Sequence, residues 1–256
     1  MHINLLIILI LFISCNDDKT NSSANKVSTQ TSESIAVVSK AKGDISYKKN
    51  LDKESKETLK TGSDLYNKDY INTGNNGFLK YVYVDDGTQV KIHNNSEVYV
   101  MGQLNRKSIM KQLEINEGTV KLKVEKQGID EFTVITPTSV ASVKGTSFWI
   151  NCYGDDGDKF YGESGLVSVL NKKSGKKVDL KANKVLSSLP QGNIETRDMT
   201  SNDFETIGEY EKQEQPSNNK TDNSNQDDSN QDKSNQGGFN INPQKLIKDM
   251  KDKSND

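Results

Sequence analysis

Short runs of alternating apolar and polar residues, each cut off by a turn signal, recur along the middle of this chain and restrict its possible folds. Phe78 to Val84 (Phe-Leu-Lys-Tyr-Val-Tyr-Val) is β-branched and aromatic, Asp85-Asp86-Gly87 interrupts it, and Thr88-Gln89-Val90-Lys91-Ile92 alternates. Successive side chains on a strand point to opposite faces, and glycine tolerates the positive φ of a tight primed turn. Asp-Gly between two such runs therefore predicts a hairpin. The pattern returns. Leu113-Glu114-Ile115 leads through the turn signal Asn116-Glu117-Gly118 into Thr119 to Val124, which alternates strictly. Glu131 to Thr136 ends at Pro137, and Ser147 to Tyr153 ends at Gly154-Asp155-Asp156-Gly157. Gly165 opens Leu166 to Leu170, and Ser174-Gly175 turns into Lys176 to Leu180. No part of this segment holds a helical period for long. The expected fold class is all-β: a compact roll or sandwich of short, mainly antiparallel strands.

Apolar residues are scarce and unevenly spent. They make up 32% of the 256 residues, and the mean hydropathy is -0.78. The stretches 16–34 and 211–238 are almost wholly polar, which leaves one segment able to bury a core. One domain is expected over 35–188. A flexible tether over 15–34 and a low-complexity polar linker over 189–238 flank it, because such compositions cannot offset the entropy of ordering. The linker repeats one polar word, Ser224-Asn225-Gln226-Asp227 and Ser229-Asn230-Gln231-Asp232. In the tail 239–256, Asn242 can cap and Pro243 can start a short helix with Leu246, Ile247 and Met250 on one face. Such a helix is marginal alone, so the tail is either frayed or a peptide that docks on a partner.

The N-terminus sets the compartment. Ile3 to Ile13 is an apolar run broken only by Asn4. It rises about 16 Å as a helix, whereas a span needs roughly 20 residues. A signal-peptide h-region fits that length. The run stops at Ser14-Cys15, and a small residue before a cysteine resembles a bacterial lipobox, with Phe12 where leucine is usual and no Lys or Arg ahead of the run. The resemblance implies cleavage of a signal peptide over 1–14, lipidation of Cys15 with diacylglycerol and a further acyl chain such as palmitate, and attachment to membrane lipid. More than one chain on one residue gives stable anchoring. The alternatives are an ordinary secretory signal, or one anchor helix with an incidental cysteine. The expected location is the bacterial cell envelope, facing the periplasm or the exterior.

Catalytic chemistry is hard to assemble. Of the two histidines, His2 lies in the signal and His93 follows a strand, where a solvent-exposed turn position is expected. Zinc sets built on several histidines are therefore excluded. Asp85-Asp86 has turn chemistry as a sufficient reason, and Asp155-Asp156-Gly157-Asp158 lacks the EF-hand's spacing to a terminal glutamate. Cys152 is expected as an inert core thiol. Trp149 and tyrosines 81, 83, 99, 153 and 161 are expected in the core, with ligand stacking as the other reading. Net charge is -2 with no long basic block, so no nucleic-acid partner is expected. The pairs Lys48-Lys49, Lys172-Lys173 and Lys176-Lys177 are expected as solvated turns; on one face they would rest against anionic lipid. Neither an enzyme nor a cofactor is expected.

A family pattern runs through the β segment. Asp64-Leu65-Tyr66-Asn67-Lys68-Asp69-Tyr70-Ile71-Asn72-Thr73-Gly74, then Tyr83 to Val90 with Asp86 and Gly87, then Leu113 to Val120, stand in the order of the FecR domain. Phe132-Thr133-Val134-Ile135-Thr136-Pro137 followed by Val143-Lys144-Gly145-Thr146-Ser147-Phe148 is similar to its most specific stretch, with Lys144 where arginine is usual. Glu163-Ser164-Gly165-Leu166-Val167-Ser168-Val169 resembles its closing strand. The resemblance covers roughly 35–188. It implies a non-catalytic extracytoplasmic module for binding or sensing a protein or envelope component. A structural envelope or surface-adhesion lipoprotein is the alternative. The family's best-known members sense ferric citrate uptake and control a sigma factor through a cytoplasmic segment and a spanning helix. With neither read here, direct sigma-factor control is not expected. The roles expected of the signature residues are structural. Pro137 withholds an amide donor, Gly145 and Thr146 hold a bend, and Lys144 pairs with a carboxylate or stays exposed.

Overall fold

The computed structural model describes residues 33–51, 58–105, 108–128 and 130–214. The signal peptide, Cys15, most of the tether and the tail 239–256 lie outside the described residues. The chain opens with β1 (Ala36–Lys42), β2 (Ile45–Lys48), β3 (Asp64–Leu65), β4 (Asp69–Thr73), β5 (Phe78–Tyr83) and β6 (Gln89–Ile92). It continues through β7 (Ser96–Asn105), β8 (Ser108–Lys123), β9 (Phe132–Ile135), β10 (Ser139–Val143) and β11 (Ser147–Cys152). Then come β12 (Asp158–Ser164), β13 (Leu166–Asn171), β14 (Lys177–Lys181), β15 (Lys184–Ser188), β16 (Ile194–Asp198) and the helix α1 (Ser201–Gln213).

The fold is all-β, with two sheets that share one strand. Sheet A runs β3-β1-β5-β6-β8-β11-β12-β15-β16. Sheet B runs β2-β4-β7-β8-β9-β10-β13-β14. Among the described residues every pairing is antiparallel except β8 with β9. Their inner faces meet in one apolar cluster. Leu79, Tyr81, Val90, Leu122 and Ile150 from sheet A pack with Ile71, Val98, Leu113, Val134 and Val169 from sheet B. Alternation along each strand produces this directly, one phase inward and one outward.

The shared strand corrects an expectation. Asn116-Glu117-Gly118 is not a turn between two strands, because β8 runs through it unbroken. The register slips opposite Glu97 and Val98. Gly118 takes φ 104°, and a Cβ there would lie 2.2 Å from Ser96 Oγ, the oxygen that accepts the Thr119 N–H at 2.9 Å. Only glycine fits this bulge, which bends β8 from sheet B into sheet A. The β5–β6 hairpin forms, with Val82 opposite Gln89, but its loop is longer than a two-residue primed turn. The Asp86 carboxylate accepts the Thr88 N–H at 2.8 Å and closes an Asx turn instead.

Two further expectations are overturned. The stretch 189–238 is not linker throughout, because β16 and α1 occupy 194–213. Ile194 and Ile207 are buried there, and these sparse contacts suffice because the strand pairs with β15. His93 is fully buried rather than exposed. It sits between Phe78, Trp149 and Tyr210, with ring centroids 5.2, 5.0 and 6.1 Å away.

Candidate functional site

Six of the signature residues gather at one end of the sheets, around the irregular segment Val124–Gln127 that follows β8. Its Gln127 side chain donates to Asp86 Oδ2 at 2.7 Å, and its backbone N–H to the Lys144 carbonyl at 2.9 Å. The Glu125 N–H donates to Thr88 Oγ1 at 3.1 Å, and the Val124 N–H to the Thr146 carbonyl at 2.8 Å. The Asp86-Gly87 turn and the Lys144-Gly145-Thr146 turn are thus tied together through one segment. Gly87 and Gly165 hold φ of 82° and 75°. A Cβ on Gly165 would lie 2.6 Å from Thr146 Cγ2, so the third turn closes directly on the second. Gly145 takes φ 148° beside the Lys126 backbone. Lys144 pairs with Glu131 at 3.1 Å and both are exposed.

Beneath these turns lies a charge that sequence reasoning missed. Lys111 Nζ is buried between Asp85 Oδ2 at 2.7 Å and Asp86 Oδ2 at 3.0 Å, and 5.6 Å from the centre of the Tyr83 ring. Burial works to raise the Asp86 pKa, but the Thr88 amide, the Gln127 amide and the Lys111 ammonium outweigh it and hold it below the ordinary value. Burial raises the Tyr83 hydroxyl far above its usual range. A cavity of roughly 640 Å³ opens beside the cluster, lined by Asp85, Asp86, Lys111, Lys126, Gln127 and neighbouring residues. The signal for Lys111 was phase. It stands on β8 in step with Ile109, Leu113 and Ile115, all inward-facing.

Thr136 and Pro137 are at the opposite end, separated from Lys144 by the length of β10. Thr136 Oγ1 accepts the Ser139 N–H at 2.9 Å, and exposed Pro137 ends the strand. The hydroxyls of Thr136, Thr138 and Ser139 all donate to Asp158, which is 1% exposed. Asp158 therefore anchors this turn to β12 from the interior. Among the described residues no group of three or more His, Cys, Asp or Glu side chains could hold a metal ion. Nearby Cys152 is buried and donates to the Asn116 carbonyl at 3.3 Å. Burial, with Asp158 close by, pushes its thiol up to about 12, which suppresses the reactive thiolate.

The outer face of sheet A carries a second polar and aromatic constellation. Trp149, Tyr161 and Val185 are buried there under Ile207, Met199 and Tyr210. Trp149 Nε1 donates to Glu163 at 2.7 Å, Lys121 bridges to the same carboxylate at 2.7 Å, and the Lys121 ammonium sits 4.8 Å from the centre of the Trp149 ring. Burial works to raise the Glu163 pKa, but Lys121, Ser147 and Trp149 together hold it low. Asn151 donates to the Tyr210 hydroxyl at 3.0 Å, which fastens α1 to the sheet.

The comparisons fall on the same segment. A family model described as "FecR protein" matches residues 69–171, from β4 to the end of β13. No curated protein matches the chain. Two crystal structures of proteins from Parabacteroides distasonis ATCC 8503, each provisionally described as an anti-sigma factor, are loosely similar. One has 20% identity and a TM-score of 0.44 over 52% of this chain and 60% of that one. The other has 19% identity and a TM-score of 0.45 over 54% and 63%. The chain thus spans less than two thirds of either. The signature turns and the strands that carry them all lie within the segment, residues 69–171, that matches the FecR family model.

Proposed function

We propose that the chain is a lipid-anchored extracytoplasmic FecR-domain protein that acts as a non-catalytic binding or sensing module for a protein or envelope component. The observation that carries this reading is the FecR match over residues 69–171 on signature residues whose contacts are those of turns. Glycines at positive φ, an Asx turn and buried ion pairs hold loops in place, and none of them presents a nucleophile beside a base. The apolar run that ends at Cys15 supports the anchor and, with it, a location outside the cytoplasm. Among the described residues no helix is long and apolar enough to cross a membrane.

The test uses the full chain expressed beside a Cys15→Ser variant. Intact mass from purified membranes is expected to show cleavage before Cys15 and added acyl chains, and the variant is expected to leave the membrane fraction. Cross-linking in intact envelopes is expected to trap one partner that the variant, once released, no longer meets. An unmodified chain, or a cross-linking pattern identical in the two, would refute the reading. A structural envelope role, the alternative, predicts altered envelope integrity on deletion with no change in any transcript.

A further inference from the structure

The register of sheet A places a row of lysines where a sheet ordinarily avoids one. Lys40 on β1 stands opposite Lys80 on β5, Lys80 opposite Lys91 on β6, and Lys91 opposite Lys121 on β8. Lys123, two residues along β8, extends the row sideways toward Ser147 on β11. Residues directly opposite have Cβ atoms about 5 Å apart, and like charges there are destabilising. The inward phase beside them is fully buried, with Leu79, Ile92 and Val120 at 0% exposure, so all these ammonium groups are confined to the outer face.

The chain meets part of this charge itself. The Glu214 carboxylate lies 2.5 Å from Lys91, and its carbonyl accepts from Lys40. Glu211 lies 2.9 Å from Lys121, and Glu163 lies 2.7 Å from it. Lys80 and Lys123 have no carboxylate within ion-pair distance among the described residues. The Lys80 pKa is lowered, first by burial and then by Lys91, Lys123 and Lys40, against Glu214, which raises it. Between these groups lies a cleft of roughly 250 Å³, lined by Lys80, Gln89, Lys91, Lys121, Lys123, Ser147 and Glu163, whose carboxylate is already taken up by Lys121, Ser147 and Trp149. It brings four lysines, one carboxylate and two neutral polar side chains together in a recess too small for a folded partner.

We infer that this cleft is a binding site for a phosphate-class oxyanion, with Lys80 and Lys123 as its principal ligands and Gln89 as a neutral donor. Charge-assisted hydrogen bonds to several ammonium groups are the chemistry that recognises such an anion. The carboxylates of Glu211 and Glu214 already pair with Lys121 and Lys91 on the same row, and they compete with the incoming anion. The inference rests on the register of sheet A and is independent of the lipid-anchor reading. The phosphate group belongs either to a free small molecule or to an anionic lipid headgroup.

Trp149 is the chain's one tryptophan and lies under Lys121, so its emission reports on the cleft. The full chain is titrated with inorganic phosphate, and separately with vesicles of phosphatidylglycerol in phosphatidylcholine and of phosphatidylcholine alone. A saturable change with phosphate is expected, weakened about tenfold or more in Lys80→Gln and Lys123→Gln and unchanged in Lys181→Gln. Glu214→Gln is expected to tighten binding about threefold or more by removing a competitor, and this gain survives any folding defect of the lysine variants. A response to phosphatidylglycerol vesicles but not to free phosphate assigns the site to the headgroup. No response to either probe, or equal responses in the wild type and all the cleft variants, would overturn the inference.

Discussion

At the scale of single residues, the informative side chains are polar ones standing in the inward phase of a strand. Lys111 shows how far sequence reasoning reaches. The alternation Ile109, Lys111, Leu113, Ile115 places a cation on the core side of β8, and that much is readable from the letters. Its partners are not readable, because Asp85 and Asp86 lie in a different hairpin and pair with it only through the bend at Gly118. The same limit hid the role of Asp158, whose three hydroxyl donors come from the β9–β10 turn, 19 to 22 residues earlier in the chain. The Lys111 ion cluster makes a sharp prediction. Removing one partner of a buried pair leaves the other charge uncompensated, so Lys111→Ala should destabilise the domain by about 3–5 kcal/mol. Urea unfolding followed by circular dichroism measures it, and a loss below about 1 kcal/mol would mean that the carboxylates are effectively solvated.

Elements were read unevenly, and for physical reasons. Strands announce themselves by period two, and Leu166–Asn171 and Phe132–Ile135 fall where the alternation places them. Helix α1 is short and its sequence is mostly polar, so it looks like linker. Its start signal was nonetheless present: Thr200 and Asp203 form a capping box, each side chain accepting from the other's backbone. Arg197 adds a bidentate pair to Asp203, at 2.6 and 2.9 Å, joining β16 to the helix start. Arg197, helped by the Thr200 amide and hydroxyl and opposed by burial, holds the Asp203 carboxyl far below the ordinary value. A group whose pKa is depressed on folding stabilises the folded state above its unfolded value, and that contribution is lost as pH falls through the folded one. Asp203→Asn should therefore cost about 1–2 kcal/mol at pH 7. The difference from the wild type should shrink as pH is lowered below about 4. Thermal melts of both proteins across that range measure it. A gap that stays constant with pH would show that the carboxylate's charge is not what holds the helix start.

At the scale of the whole molecule, the question is where the domain ends, and composition alone misplaces it. Apolar density drops after Ser188, so an end there is the natural expectation, yet the outer face of sheet A needs β16 and α1. Trp149, Tyr161 and Val185 are 0%, 4% and 1% exposed, and the residues that cover them, Met199, Ile207 and Tyr210, all come after that point. The acids that answer the lysine row, Glu211 and Glu214, come later still. A chain cut after Ser188 would lose β16 as the edge of sheet A, uncover a tryptophan and a tyrosine, and leave the lysines facing one another. Burying a large apolar side chain is worth about 1.5–3 kcal/mol, so uncovering several would remove a large share of a stability that is typically about 5–15 kcal/mol for a domain. Residues 33–214 should therefore melt cooperatively with blue-shifted tryptophan emission. Residues 33–188 should show red-shifted emission, bind a hydrophobic dye and melt at a clearly lower temperature. Equal melting temperatures and equal emission maxima for the two would mean that β16 and α1 only rest on a domain already complete without them.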